Sequence, residues 1–164
     1  CILECEFCLK FLEDTKMIPG AEHKTGNYEA YIALELVSTR VHSESKKDLD
    51  PINMMNLNIA DNGGAGAIVI GNQIKDLDKI NLDSIQVEIN LNGEVTEPYF
   101  KGEKRAGPIE AIKCIINEFK DNPVTFKKGD WFMTGSVIQP FKVNKGDKLK
   151  VDFRTLGKIN VDFI

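Results

Sequence analysis

Ile85, Val87, Ile89 and Leu91 alternate with other residues, and Asn92-Gly93 follows directly. Apolar residues spaced by two share one face of a strand, and Asn-Gly tolerates the positive φ angles of a primed two-residue turn. The segment therefore predicts a β-hairpin in which residues 95–100 return as the partner strand. No other local pattern in the chain restricts the fold as strongly.

Further strand signals surround it. Residues 1–11, CILECEFCLKF, read as an extended strand, and residues 28–40 as a short helical start followed by the apolar strand 32–37. The unbroken apolar run 67–71 predicts a buried strand. Residues 131–133, 149–153 and 159–163 supply three more. Helix signals are few. Asp50 ahead of Pro51 is a good helix start, leading into Met54, Met55, Leu57 and Ile59 and stopping at Gly63-Gly64. Residues 108–119 form an amphipathic helix with Ile109, Ile112, Ile116 and Phe119 on one face. The charged stretch 43–50 reads as a solvated loop. Strands outnumber helices without βα alternation, so the expected class is α+β, strand-rich with mixed β-sheets.

The 164 residues suffice for one domain, 1–164, with its own core. Hydrophobic residues at 42% and charged residues at 28% are ordinary for a globular chain. A net charge of −4 argues against nucleic acid as a partner, and no apolar run is long enough to cross a bilayer, so no membrane partner is expected. Cys1, Cys5, Cys8 and Cys114 do not make a disulfide scaffold; reduced thiols and a cytoplasmic location fit better. The chain opens on Cys1 inside an apolar strand, so an upstream segment is expected.

Within that first strand Glu4 and Glu6 are two apart and leave the same face, while Cys5 and Phe7 point the other way. Two acids on one face of an apolar strand repel each other and are costly to bury unless a cation lies between them. Glu35, flanked by Leu34 and Leu36, offers a third carboxylate. Three hard oxygen donors suit Mg²⁺ or Mn²⁺, which leave positions for substrate oxygens. By itself the Glu-x-Glu pair also fits a solvent-facing strand edge.

The order of segments adds to this. Glu4-Cys5-Glu6-Phe7 and Ala33-Leu34-Glu35-Leu36-Val37-Ser38-Thr39-Arg40 resemble the E-P-E and L-E-I-V-D-S-R segments of the fumarylacetoacetase superfamily. Ile59 to Gly64, Gly107-Pro108, Lys128-Gly129-Asp130 with Met133-Thr134-Gly135-Ser136, and the close from Gly146 to Phe163 follow in the order of its 2-oxo acid hydratase and decarboxylase branch. The resemblance covers almost the whole chain and implies the metal-binding, C-terminal part of such an enzyme. Glu4, Glu6 and Glu35 would be the metal ligands. Thr134, Gly135, Ser136, Asn62 and Gly64 would line the substrate site. The implied activity is that of a metal-dependent lyase of aromatic-compound catabolism, acting on small 2-oxo or 2-hydroxy-dienoic acids. The metal would chelate the 2-oxo and carboxylate oxygens and stabilise an enolate, reached by hydration or by loss of CO₂. A homo-oligomer is expected.

This chain departs from the branch in three places. Ser38 replaces an Asp, Gly64 replaces a Ser, and Gly107 runs into Pro108 without the histidine of a G-H-P turn. The family's proton-transfer residues lie upstream of its E-x-E pair, so the catalytic acid and base are expected ahead of Cys1. Two other readings stay open: a structural or assembly subunit that has kept the fold without turnover, and a C–C hydrolase sharing the metal triad.

Other signals lead elsewhere. Cys1, Cys5 and Cys8 have the C-x3-C-x2-C spacing of an iron–sulfur motif, but the chain shows none of the βα alternation of a barrel, and small apolar residues in a buried strand is the favoured reading. His23 and His42 lie in polar segments and read as surface histidines. Trp131 reads as core, and Lys46-Lys47 and Lys127-Lys128 as solvated loop charges.

Overall fold

A computed structural model describes residues 1–19, 25–96 and 107–164. The strands are β1 (Ile2–Phe11), β2 (Thr15–Lys16), β3 (Tyr28–Val37), β4 (Ala65–Ile74), β5 (Glu88–Leu91), β6 (Glu94–Thr96), β7 (Thr125–Phe126), β8 (Trp131–Met133), β9 (Phe141–Lys142), β10 (Lys148–Asp152) and β11 (Lys158–Asp162). Two α-helices, α1 (Pro51–Ala60) and α2 (Pro108–Glu118), complete the frame. This is the strand-rich α+β class that the sequence implies. All described pairings are antiparallel.

The larger sheet runs β4-β3-β1-β8, with β9 also on β1; the smaller runs β11-β10-β5-β6. Alternation along β1 sends Leu3, Cys5, Phe7, Leu9 and Phe11 into the core, matched on β3 by Leu34, Ile32, Ala30 and Tyr28. Val87, just ahead of β5, and Ile89, Leu149, Val151 and Ile159 of the smaller sheet meet them, and Phe7 packs edge-on against Phe153 with centroids 6.0 Å apart. The opposite face of β1 and β3, carrying Ile2, Glu4, Glu6 and Val37, Glu35, Ala33, is turned from this core.

The hairpin forms as its pattern predicts. Asn92 and Gly93 both have positive φ, 56° and 95°, and Leu91 pairs with Glu94 across them. The extended pairing starts only at Glu88, because residues 82–84 form a 3₁₀ turn before it. Residues 97–100 of the return strand, like His23, lie outside the described residues. Asp50 caps α1 by accepting from the Ile52 and Asn53 N–H groups at 2.9 and 3.0 Å.

Four expectations are corrected. Residues 28–31 are strand, because Tyr28, Ala30 and Ile32 alternate inward and pair along β1. β4 is an edge strand, with Ile68 44% exposed; an apolar run reports affinity for burial and not how many neighbours the strand finds. Trp131 is 40% exposed, tilted against Tyr31 with the Lys10 amine over its ring. On α2 the buried residues are Pro108, Ile112 and Ile116, while Ile109 and Phe119 at its two ends are exposed because the helix packs on the short turn at 82–84. No described helix is long and apolar enough to cross a membrane.

Candidate metal centre

Glu4 on β1 is the register partner of Glu35 on β3, and Glu6 lies one pleat further along. Directly opposed residues of an antiparallel pair project to the same side, so the pairing itself brings three carboxylates together. One carboxylate oxygen from each lies within 4.8 Å of the other two. Among the described residues this is the one group of three or more such side chains placed to share a cation. Glu6 is 1% exposed, while Glu4 and Glu35 are half-buried and open to solvent on one side.

The 134–137 segment explains why Glu6 is buried. β8 pairs with β1 at Cys8 to Lys10, and β9 with β1 at Ile2 and Leu3, which leaves the middle of that edge to residues 134–137. Thr134 donates its N–H and its hydroxyl to the Phe7 carbonyl, both at 3.1 Å, and the Val137 N–H donates to the Cys5 carbonyl at 2.8 Å. Between these anchors the backbone turns at Gly135, φ 94°, and its N–H donates to Glu6 Oε2 at 2.9 Å. A side chain at that φ is strained, so glycine is what lets the turn aim this N–H at the carboxylate. The Ser136 hydroxyl donates to the Ile138 carbonyl at 2.9 Å. Of this stretch, then, Gly135 touches the carboxylate cluster directly, while the Thr134 and Ser136 hydroxyls hold backbone.

Without a cation the cluster is electrostatically frustrated. Burial, reinforced by the charges of Glu35 and Glu4 and opposed by the Gly135 N–H, pushes the Glu6 carboxyl up to about 8. Burial and the Glu35 charge also raise Glu4, with a hydrogen bond from Glu6 working against them. Three such groups held together fit a divalent cation. Oxygens sharing one Mg²⁺ at about 2.1 Å stand roughly 3–4 Å apart, and rotation of the half-buried Glu4 or Glu35 closes the difference. Cys8 projects from the same face beside Glu6; burial first, then the Glu6 charge, pushes its thiol up to about 12. Cys5 points to the core, so β1 splits the cysteines between two faces instead of gathering them.

A cleft of about 620 Å³ opens beyond Ile2 and Val37, two register positions past Glu4 and Glu35 on the same face. Gly64 lines it and is buried; its carbonyl accepts from Ser38 N–H at 2.7 Å. A Cβ there would lie 3.1 Å from the Val37 side chain at a φ of 77°, which explains glycine at this position. Asn62, exposed with φ 52°, is part of the same turn but is not among the residues lining the cleft. Asp61 accepts from the Thr39 hydroxyl at 2.7 Å and from Arg40 Nε at 2.8 Å, tying the end of α1 to the end of β3. Those hydrogen bonds hold its carboxyl below the usual carboxylate range, the Thr39 hydroxyl most of all. Nothing in the local pattern around Asp61 or Thr39 announces this link; it depends on where α1 docks.

No family model matches the chain. The sequence is 24% identical over 106 residues to a 4-oxalocrotonate decarboxylase of Pseudomonas putida, covering 65% of this chain and 40% of that protein. It is 23% identical over 129 residues to a 2-hydroxyhexa-2,4-dienoate hydratase of Comamonas testosteroni, covering 79% of this chain and 46% of that one. The 4-oxalocrotonate decarboxylase from Pseudomonas putida G7, solved with magnesium and adipate, superposes with a TM-score of 0.75 at 21% identity, over 99% of this chain and 60% of that one. A structure described as of the fumarylacetoacetate hydrolase family, from Yersinia pestis CO92, superposes at 0.58 with 16% identity, over 99% of this chain and 70% of that one. The fold is that of the fumarylacetoacetase superfamily. In sequence the likeness is to a decarboxylase and a hydratase. The chain spans 40–46% of the length of these two curated relatives.

Proposed function

We propose that this chain is the metal-binding part of a lyase that hydrates or decarboxylates 2-oxo or 2-hydroxy-dienoic acids, with Mg²⁺ or Mn²⁺ held by Glu4, Glu6 and Glu35. The observation that carries the reading is the convergence of those three carboxylates within 4.8 Å on the face of the β1–β3 pair turned from the main core. The names of the relatives, a decarboxylase and a hydratase, support the reaction class, and the magnesium in one solved relative supports a divalent ion. When bound, such an ion supplies Lewis-acid polarisation of the substrate's 2-oxo oxygen. The chain's own part is to hold and orient: Gly135 N–H fixes one oxygen of Glu6. Asn62, Gly64, Thr134, Gly135 and Ser136 are proposed to border the substrate, with the backbone around Gly64 and Gly135 the closest to the cleft and the carboxylates.

The acid and base that move the proton are proposed to lie ahead of Cys1, in keeping with the fraction of the relatives that the chain spans. The same reading places the protein in the cytoplasm, in line with its four free cysteines, and makes it a homo-oligomer. Self-association is supported by α1, which exposes Ile52, Met55 and Ile59 and carries no charged residue within its span.

Oxalate carries the two chelating oxygens of a 2-oxo acid and tests the reading by calorimetry. Residues 1–164 should bind oxalate with Mg²⁺ and not with EDTA, and Glu35→Gln should abolish the binding. Because general acid–base groups contribute about 10²–10⁴-fold, hydration of 2-hydroxypentadienoate by residues 1–164 should be slow or absent. Oxalate binding that is indifferent to metal would refute the proposal.

A further inference from the structure

On its sheet face the carboxylate cluster has four sides, and two are filled by the protein itself. Along the outer edge of β1 the 134–137 segment closes in, with Gly135 N–H on Glu6 Oε2. On the same face, two residues past Glu6 and away from Glu4, come the register partners Cys8 and Tyr31. Tyr31 meets Trp131 of β8 with ring centroids 5.3 Å apart, and since β1 lies between β3 and β8 the rings meet across it. Cys8 is fully buried there.

The other two sides begin with apolar residues. Past Glu4 and Glu35 stand Ile2 and Val37, two residues along and so about 7 Å away. The cleft beyond them turns polar at once, with Ser38, Thr39, Lys46 and Asp61 in its lining. Sideways across the ladder the neighbour is β4. Ile68 is the register partner of Glu35, and Ile70 that of Ala33, so both isoleucines share the face of the carboxylates. Adjacent strands lie about 4.8 Å apart, which makes Ile68 nearer than Ile2 or Val37 to Glu35. In the row Ile70, Ala33, Glu6 the middle side chain is only a methyl group, so no bulk on β3 separates Ile70 from Glu6. Ile68 is 44% exposed and Ile70 half-buried, and every residue from Ala65 to Ile70 is apolar or glycine. An isoleucine held in water beside three carboxylates gains when hydrocarbon covers it.

We propose that Ile68, with Ile70 beside it, receives the hydrocarbon chain of a 2-oxo acid whose head is held at the carboxylates. This rests on Glu4, Glu6 and Glu35 being the metal centre. Ile68 is thus a specificity-determining residue, discriminating by chain length among acids that share one chelating head.

Pyruvate, 2-oxobutanoate, 2-oxopentanoate and 2-oxohexanoate form the test series, titrated with Mg²⁺ into residues 1–164. Each added methylene should tighten binding by about two- to fourfold. Ile68→Thr, which keeps the β-branched shape suited to a strand, should flatten the series to within about twofold from end to end. Ile68→Leu should keep most of the slope, and so should Ile2→Thr. Oxalate has no chain and reads the carboxylate cluster separately; Ile68→Thr should leave its affinity unchanged. A series that is flat in the parent chain while oxalate still needs Mg²⁺ would overturn this inference and leave the metal-centre reading standing. A slope retained in Ile68→Thr, or lost in Ile2→Thr instead, would overturn it as well. Equal weakening of oxalate and the long acids in Ile68→Thr would make Ile68 a support for Glu35 and also overturn it. Binding of oxalate and the whole series without regard to Mg²⁺ would bring down both readings together.

Discussion

Glu4 and Glu35 stand directly opposite each other in the β1–β3 ladder, two like charges in the position where an antiparallel pair brings side chains closest. Such a pairing is destabilising by itself and becomes favourable with a cation between the two. Added Mg²⁺ or Mn²⁺ should therefore raise the melting temperature, by the equivalent of about 2.7 kcal/mol at a hundredfold excess over Kd. Glu35→Gln should remove that rise. It should also melt higher than the parent in EDTA, because the repulsion is gone. An unchanged metal response in this variant would remove Glu35 from the site.

Acid should stabilise the metal-free protein. Burial first, then Glu35 and Glu4, raises the folded-state Glu6 carboxyl to about 8, while in the unfolded chain it titrates in the ordinary carboxylate range. Between those values the folded state holds a proton that the unfolded state has released, so stability is highest below the unfolded value and falls as pH rises toward 8. In EDTA the melting temperature should drop between about pH 5 and pH 8. Glu6→Gln should flatten the profile, as should saturating Mg²⁺. A profile equally steep in Glu6→Gln would place the titrating group elsewhere.

Gly135 connects the 134–137 segment to the centre through a single N–H, 2.9 Å from Glu6 Oε2. Alanine there meets no neighbouring atom, but it resists the φ of 94°. Relaxing that angle turns the N–H away from the carboxylate. Gly135→Ala should therefore weaken Mg²⁺ affinity by about tenfold or more, the range seen when a partner of a metal ligand is lost. Titration calorimetry reads this directly, and wild-type affinity would mean that the hydrogen bond does not orient Glu6.

Ile116 is buried on α2 together with Ile112. Ile116→Ala should cost about 2–5 kcal/mol, read from denaturant unfolding, because it leaves a cavity beneath the helix. Ile109→Ala, on the exposed end of the same helix, should cost far less. Equal losses at the two positions would show that the face is drawn wrongly.

Local periodicity was enough for several elements. The alternation through Val87, Ile89 and Leu91, the Asn92-Gly93 turn, the Asp50-Pro51 helix start and the shared face of Glu4 and Glu6 all follow from residue spacing, since spacing decides which way neighbouring side chains point. The convergence with Glu35 needed the ladder, because strand register is a contact between distant segments. β4 and Trp131 show the same boundary from the other side. Their apolar character is plain in the chain, but exposure depends on how many strands gather around them, and among the described residues β4 has a strand partner on one edge only. Lys46 marks it most sharply. In sequence it is one of two adjacent lysines in a polar stretch; in the fold its amine donates to Thr39, which the docking of α1 ties to Asp61, whereas Lys47 pairs with Glu44. A side chain's direction is written within a few residues of itself, whereas its charge partners and its water are decided by whatever the rest of the chain brings alongside.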